Sequence, residues 1–306
     1  MRVNNSKNYV RTTTVNEFKI TKLDTTQFWL QINCDDCKEG EKEKEFLKGN
    51  CFKLKTPDTI HIYEDGKISK VNLKSIYFGK KLKYIYLDKD GEEHKLGDFN
   101  LIEAQKWSDG TKHLSKTLNG GVWKKITIDN KTRYYRKDIG LKTYLITPFS
   151  GGSNKVFKYK NGDLDFALFE DTSREYFNPE AFATVIGALA EVNYIDLISN
   201  GSVGTDGTGA YSLTHFNGFN MDFKYLRKDK KKGGIDAGVV RILVSDEKLD
   251  VTRQNKFLDA LYKFGWGVTE KNLSNNTSEG NDLNHCKPDA HHTNHLHIQG
   301  FKPNYK

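Results

Sequence analysis

No apolar run in this chain approaches the roughly 20 residues that a membrane-spanning helix needs, so a helical membrane protein is not expected. The opening residues Met1-Arg2-Val3-Asn4-Asn5-Ser6-Lys7 have no apolar core behind their positive charge, so no cleavable secretion signal is expected there. The expectation is a protein that is cytoplasmic in its producer and exported by a route needing no such signal. No internal repeat is apparent. Cysteine is scarce, with four in 306 residues. Cys34 and Cys37 form a lone C-x-x-C, and no second pair or suitable histidine pair completes a structural zinc site. They read as reduced thiols in a turn rather than as a metal or redox pair. The apolar fraction is a modest 36%, but aromatics at 12% supply buriable surface, which argues against disorder.

What the chain does have is length for two domains and a net charge of +8. That charge suits an anionic partner: nucleic acid, a lipid surface, or the anionic polymers of a cell wall. It does not choose among them. The sharpest basic cluster, Lys224 to Lys232, reads as a solvated loop, with substrate steering as the second reading because it follows Asp222.

The N-terminal half reads as strands. Gln27 to Ile32 and Thr59 to Tyr63 alternate apolar and polar residues, the period of a half-buried strand. Leu82 to Leu87 and Gly121 to Ile128 continue the pattern, and Asp65-Gly66 and Asp90-Gly91 are hairpin-type turns. Pro148 to Asn154 is the clearest linker. Beyond it, Asn178-Pro179-Glu180 starts a helix with Phe182, Val185, Ile186 and Leu189 on one face. Tyr194 to Ile198 and Val239 to Val244 read as strands. Thr252 to Phe264 reads as a second helix that stops at Gly265, and Asn272 to Asn284 as a polar loop. The predicted fold class is α+β. A mostly antiparallel β domain over 1–147 precedes a domain over 155–306, in which two helices pack on a small antiparallel sheet.

The residues that carry chemistry are His215, Asp222 and His297. Two imidazoles and one carboxylate make a three-ligand zinc set whose fourth position is left to water, the pattern of a zinc hydrolase. Seven residues from His215 to Asp222 exceed one helical turn, but a bent segment brings both to one point, and Gly218 allows the bend. His295 and His297 share a face if the tail is a strand, so His295 would stand beside the metal. A bend before the strand would bring in His292. The alternative is an adventitious histidine tract.

The pattern Ser-x-x-His-x-x-Gly-x-x-x-Asp, followed by a late His-x-His, resembles the lysostaphin, D-Ala-D-Ala carboxypeptidase and sonic hedgehog group of zinc peptidases, over roughly residues 175–300. The resemblance implies a hedgehog-like peptidase fold with zinc held by His215, Asp222 and His297. His292-x-x-His295-x-His297 is similar to the penicillin-insensitive murein endopeptidases. That likeness implies His295 as catalytic base, with His292 stabilising the oxyanion or exchanging roles with it. Asn294 stands where the carboxypeptidase branch has its acid. The chain departs from the group in its serine, for which Ser212 and Thr214 are candidates, and in Asn220. It departs also in Ser199-Asn200-Gly201-Ser202, which lacks the arginine that grips a free carboxylate and so favours cutting an internal bond.

The implied substrate is the amide crosslink of peptidoglycan. The implied setting is an antibacterial effector delivered by a contractile secretion machine to the periplasm or wall of a target cell. Its expected partners are a secretion-machine component and an immunity protein, with no nucleic acid. The first half would serve loading, delivery or wall binding. The alternatives are a phage endolysin, a non-catalytic zinc-containing binding protein and a metal-dependent nuclease.

Overall fold

The computed structural model describes residues 2–4, 9–11, 20–22, 28–30, 59–71, 73, 81–109, 123–128, 131–149, 155–209, 212, 214–267, 273–275 and 283–306. The chain divides into two compact units, Met1–Thr56 and Pro57–Lys306. In the first, β1 (Arg2–Asn4) pairs with β2 (Tyr9–Arg11), and β3 (Ile20–Lys22) with β4 (Phe28–Leu30), both antiparallel. Part of the expected strand Gln27 to Ile32 is thus β4. Cys34 and Cys37 lie outside the described residues.

The second unit is α+β, with two sheets and two helices among its described residues. The first sheet contains β5 (Thr59–Tyr63), β6 (Lys67–Ile68), β7 (Lys81–Leu87), β8 (Glu93–Asp109), β9 (Trp123–Ile128) and β10 (Lys131–Ile146). In β5 and β7 alternate residues are buried, as their sequence pattern requires. Gly66 and Gly91 take positive φ in the turns after these strands. The sheet is mostly antiparallel, with β5 and β7 parallel.

The second sheet takes β11 (Lys155–Asn161), β12 (Leu164–Glu170), β13 (Leu197–Gly201), β14 (Met221–Phe223), β15 (Leu273–Asn275), β16 (Lys287–Pro288) and β17 (Leu296–Ile298). Its order is β11-β12-β13-β14-β17-β15-β16. It is larger than expected and mixed rather than antiparallel: β12 pairs with β13, and β15 with β16, in parallel. A parallel pair needs a crossover, and between β12 and β13 helix α1 (Pro179–Val192) supplies it.

Asn178 caps α1 by accepting from the Glu180 and Ala181 amides, and Phe182, Val185, Ile186 and Leu189 are fully buried. Helix α2 (Val251–Lys263) starts at Asp250, which accepts from Arg253 N, and stops before Gly265, whose φ is 88°.

The expected division into 1–147 and 155–306 is not where the structure divides. Ile60, Ile62, Leu82, Tyr84 and Ile146 from one side of the linker share a core with Phe166, Phe182, Phe223, Phe257 and Ile298 from the other. Helix α1 packs on β5, β6 and β10 as well as on β12 and α2. Tyr84 donates to the Pro179 carbonyl at 2.9 Å, which satisfies a buried hydroxyl across the same seam. Strand β18 (Asn304–Tyr305) then joins the first sheet beside β6. The linker itself is buried at Phe149, and residues 150–154 lie outside those described.

Two local expectations change. Val239 to Val244 is assigned to no strand, and Val244 begins a turn. Ile242 and Val244 are buried while Val240 and Leu243 face outward, so the alternation records packing without a ladder. The strand expected at Tyr194 begins at Leu197, since Ile195 is 53% exposed. Within the expected polar loop, Leu273 to Asn275 is β15, and residues 276–282 lie outside those described.

Candidate metal centre

Strands β14 and β17 are three-residue segments whose outer positions are apolar: Met221 and Phe223 on one, Leu296 and Ile298 on the other, all buried. Period-two alternation turns the central residues, Asp222 and His297, to the opposite face. The register sets those two directly across from each other. His215 arrives from a hairpin-like loop. Its carbonyl accepts from Gly209 N, and Asn217 N donates to the Gly207 carbonyl. The bend between His215 and Asp222 is at Asn217 and Gly218, with φ of 58° and 75°. A Cβ on Gly218 would stand 2.3 Å from Asn178 N, which donates to the Gly218 carbonyl. The helix cap and the metal loop are therefore joined where a side chain does not fit.

His215, Asp222 and His297 form a group of possible metal ligands. His215 Nε2 is 3.0 Å from His297 Nδ1 and 3.2 Å from Asp222 Oδ1, and His297 Nδ1 is 2.8 Å from the same oxygen. A tetrahedral zinc with bonds of about 2.0–2.1 Å spaces its ligands by roughly 3.3 Å, close to these separations. The proton inventory points the same way. His215 Nδ1 donates to the Ser202 carbonyl at 2.9 Å, so Nε2 presents a lone pair. Asp222 Oδ1 offers only lone pairs. Burial lowers the His215 pKa against the pull of Asp222. Burial likewise opposes charge on Asp222, but His215 and His297 outweigh it and hold its carboxyl well below the usual range. His215 Nε2 and Asp222 Oδ1 present lone pairs beside His297 Nδ1, a donor set that fits a divalent cation. His297 Nε2 is buried without a hydrogen-bond partner, and Nδ1 is the ring nitrogen that faces Asp222 and His215.

His295 stands beside the group, with Nε2 3.7 Å from Asp222 Oδ1. Its Nδ1 faces Asn294 Oδ1 at 2.6 Å. Asn294 therefore accepts a proton there and leaves Nε2 as the basic nitrogen. Burial lowers the pKa of His295, so the ring is neutral near pH 7. His292 lies on a 3-10 turn, Ala290–His292, as the expected bend requires. Its ring stacks on His297 at 5.0 Å and meets His295 edge-on at 5.0 Å. Its carbonyl accepts from Tyr225 Oη. Burial and then the neighbouring histidines push its pKa down to about 4. Its Nδ1 sits 3.3 Å from Asp289 Oδ2 without hydrogen-bonding geometry.

The Ser202 carbonyl accepts from His215 Nδ1, and the Ser202 hydroxyl donates to the Asn220 carbonyl. Ser212 and Thr214 face each other within the loop at 3.4 Å. Asn220, the other departure, ties that loop by donating to the Thr214 carbonyl. Sequence reasoning missed Arg174. Its Nη2 donates to Asp222 Oδ2 at 3.2 Å and to the Asn200 carbonyl. An arginine is thus present beside Asn200, brought by the connection between β12 and α1. Nothing in the spacing of residues 174 and 222 signals the contact. The basic cluster is partly internal as well. Lys224 is buried against Asp171 and the Gly233 carbonyl, Arg227 pairs with Asp229, and Lys232 with Asp236.

A second group, Asp88, Glu92 and His94, also has metal-compatible spacing. Two of its members already have partners: Asp88 accepts from the Asp90 and Glu92 amides and pairs with His94, whose other nitrogen meets Tyr159 Oη. Compared with known proteins, the chain matches no family model, no curated protein and no solved structure.

Proposed function

We propose that the protein is a zinc-dependent hydrolase that cuts amide crosslinks of bacterial peptidoglycan, in the manner of the murein endopeptidases its motifs resemble. The observation that carries this reading is the convergence of His215 Nε2, Asp222 Oδ1 and His297 Nδ1 beside the basic nitrogen of His295. Zinc held by those three atoms would supply Lewis acidity toward the scissile carbonyl and the attacking water.

The chain's own residues do the rest. His295 Nε2 takes a proton from the attacking water and later delivers it to the leaving amine. Asn294 keeps the other nitrogen protonated, so the ring works from one end only. His292, packed against both His295 and His297, holds their rings in place and faces the developing oxyanion. Arg174 binds the second oxygen of Asp222, which leaves Oδ1 for the metal. With its guanidinium engaged by Asp222 and Asn200, it favours cleavage of an internal bond over trimming of a terminal residue. The hedgehog-like peptidase fold belongs to the same proposal, supported by ligands on β14 and β17 with helices packed in the same core.

The net charge of +8 suits the acidic wall. The effector setting, with its secretion-machine and immunity partners, rests on the sequence alone. No helix among the described residues is long and apolar enough to cross a membrane. The test is digestion of purified peptidoglycan with and without chelator, read by mass spectrometry. New peptide ends that vanish with chelator are expected, and zinc-loaded protein that yields none overturns the reading. Burial of all three ligands also suits a zinc-containing binding protein, and that second reading gives no new ends.

A further inference from the structure

His215 is the ligand of the three that no strand carries. The loop that presents it closes on itself through Gly204 N to the Thr208 carbonyl, Gly209 N to His215 and Asn217 N to Gly207. Thr208 also bridges Phe216. A small hairpin closed only on itself is marginal in water and would not hold an imidazole to a few tenths of an ångström.

What holds it is the first sheet. Strand β7 covers β8 only as far as Asn100. Beyond that point Trp107 turns its backbone toward the loop, and the Asn217 side chain occupies the place of a neighbouring strand. Asn217 Oδ1 accepts from Trp107 N at 2.9 Å, and Nδ2 donates to the Trp107 carbonyl at 2.7 Å. Two further bonds tie the loop to β8 and β10 of the same sheet: Trp107 Nε1 to the Asp206 carbonyl at 2.8 Å, and Tyr135 Oη to the Ser212 carbonyl at 2.9 Å. Phe216, next to His215, packs into the cluster of Trp107 and Tyr135. A Cβ on Gly207 would lie 3.1 Å from the Gln105 carbonyl, so the loop rests directly on β8. His215 points to the metal group while both residues after it are anchored in the sheet.

We infer that Asn217 is a positioning residue of the metal centre, and that β8 thereby sets how tightly the centre holds its ion. The inference rests on the zinc reading above. It makes the sheet of residues 59–146 a working part of the site.

The test is zinc titration of the full chain against a chromophoric chelator, with the visible spectrum of the cobalt-substituted protein as second readout. Asn217→Gly removes the amide and keeps the left-handed backbone available. It is expected to weaken zinc binding about tenfold or more and to shift the cobalt bands. Tyr135→Phe, which removes the bond to the Ser212 carbonyl and no backbone constraint, is expected to weaken it less than Asn217→Gly does. Wild-type affinity and an unchanged cobalt spectrum in Asn217→Gly overturn the inference. Should that variant not fold, the same result in Asn217→Asp, which loses the bond to the Trp107 carbonyl, overturns it. Wild-type protein that binds no zinc overturns the inference together with the metal reading, so the two failures are distinguishable.

Discussion

Asp222 and His297 face each other across the antiparallel pair β14–β17, with the carboxylate oxygen 2.8 Å from the imidazole Nδ1. On its far side the same carboxylate meets Arg174. One buried side chain therefore serves the metal group and an ion pair whose members are 7% and 9% exposed.

Replacing Asp222 with Ala should remove zinc binding and leave the Arg174 charge buried without its partner. The expected loss of stability in the metal-free protein is about 3–5 kcal/mol, measured by urea unfolding with chelator present. A variant that binds zinc normally would remove Asp222 from the ligand set.

Zinc should stabilise the folded chain, by about 4 kcal/mol when free zinc exceeds the dissociation constant a thousandfold. For a unit of this size that is a rise in melting temperature of roughly 10 °C. His297→Ala should lose the rise. His295→Ala should keep it while peptidoglycan cleavage collapses. A vanished rise in the second variant would make His295 a ligand rather than a base.

Glu170 gives a pH dependence away from the metal. Burial raises its pKa from 4.5 to about 8, against hydrogen bonds from Ser199 and Thr172 that favour the charged form. Between those values the unfolded chain has released this proton and the folded chain retains it. Stability is therefore greatest below pH 4.5 as far as this group is concerned, and falls as pH rises toward 8. The contribution is at most about 5 kcal/mol. Glu170→Gln, which imitates the protonated acid, should flatten that slope in urea titrations at pH 5 and pH 8. An unchanged slope would place its source elsewhere.

Gly218 and Gly162 both have positive φ, at 75° and 56°. A Cβ on Gly162 meets nothing within 4 Å, whereas one on Gly218 meets the Asn178 amide. Gly162→Ala should cost about 1–2 kcal/mol of backbone strain. Gly218→Ala should cost about 3 kcal/mol or more, through strain and the forced parting of loop and helix cap. Equal melting temperatures for the two variants would contradict this.

What could be read from the sequence is what has a short period or a local cap. Alternation marks Thr59–Tyr63 and Lys81–Leu87, and Asn178 and Phe182 mark α1, because burial of one face repeats every two residues or every three to four. His215, Asp222 and His297 were legible as a motif, and the structure groups them. Their support was not. Arg174 meets Asp222 across 48 positions, and Asn217 meets Trp107 across 110. Such pairings follow from how the sheets share a core, which no local pattern records. The same limit explains the linker after Pro148, which has turn chemistry but separates no cores. It also explains Val239 to Val244, where the alternation is present and no strand forms.

Strand β17 carries His297 and completes the ligand group, and β18 then caps the edge of the first sheet beside β6. Both lie within residues 296–305. Without that stretch β14 and β15 would lose the strand between them, and β6 its outer neighbour. Loss of residues 296–305 would thus open both sheets at once and take the third ligand with them.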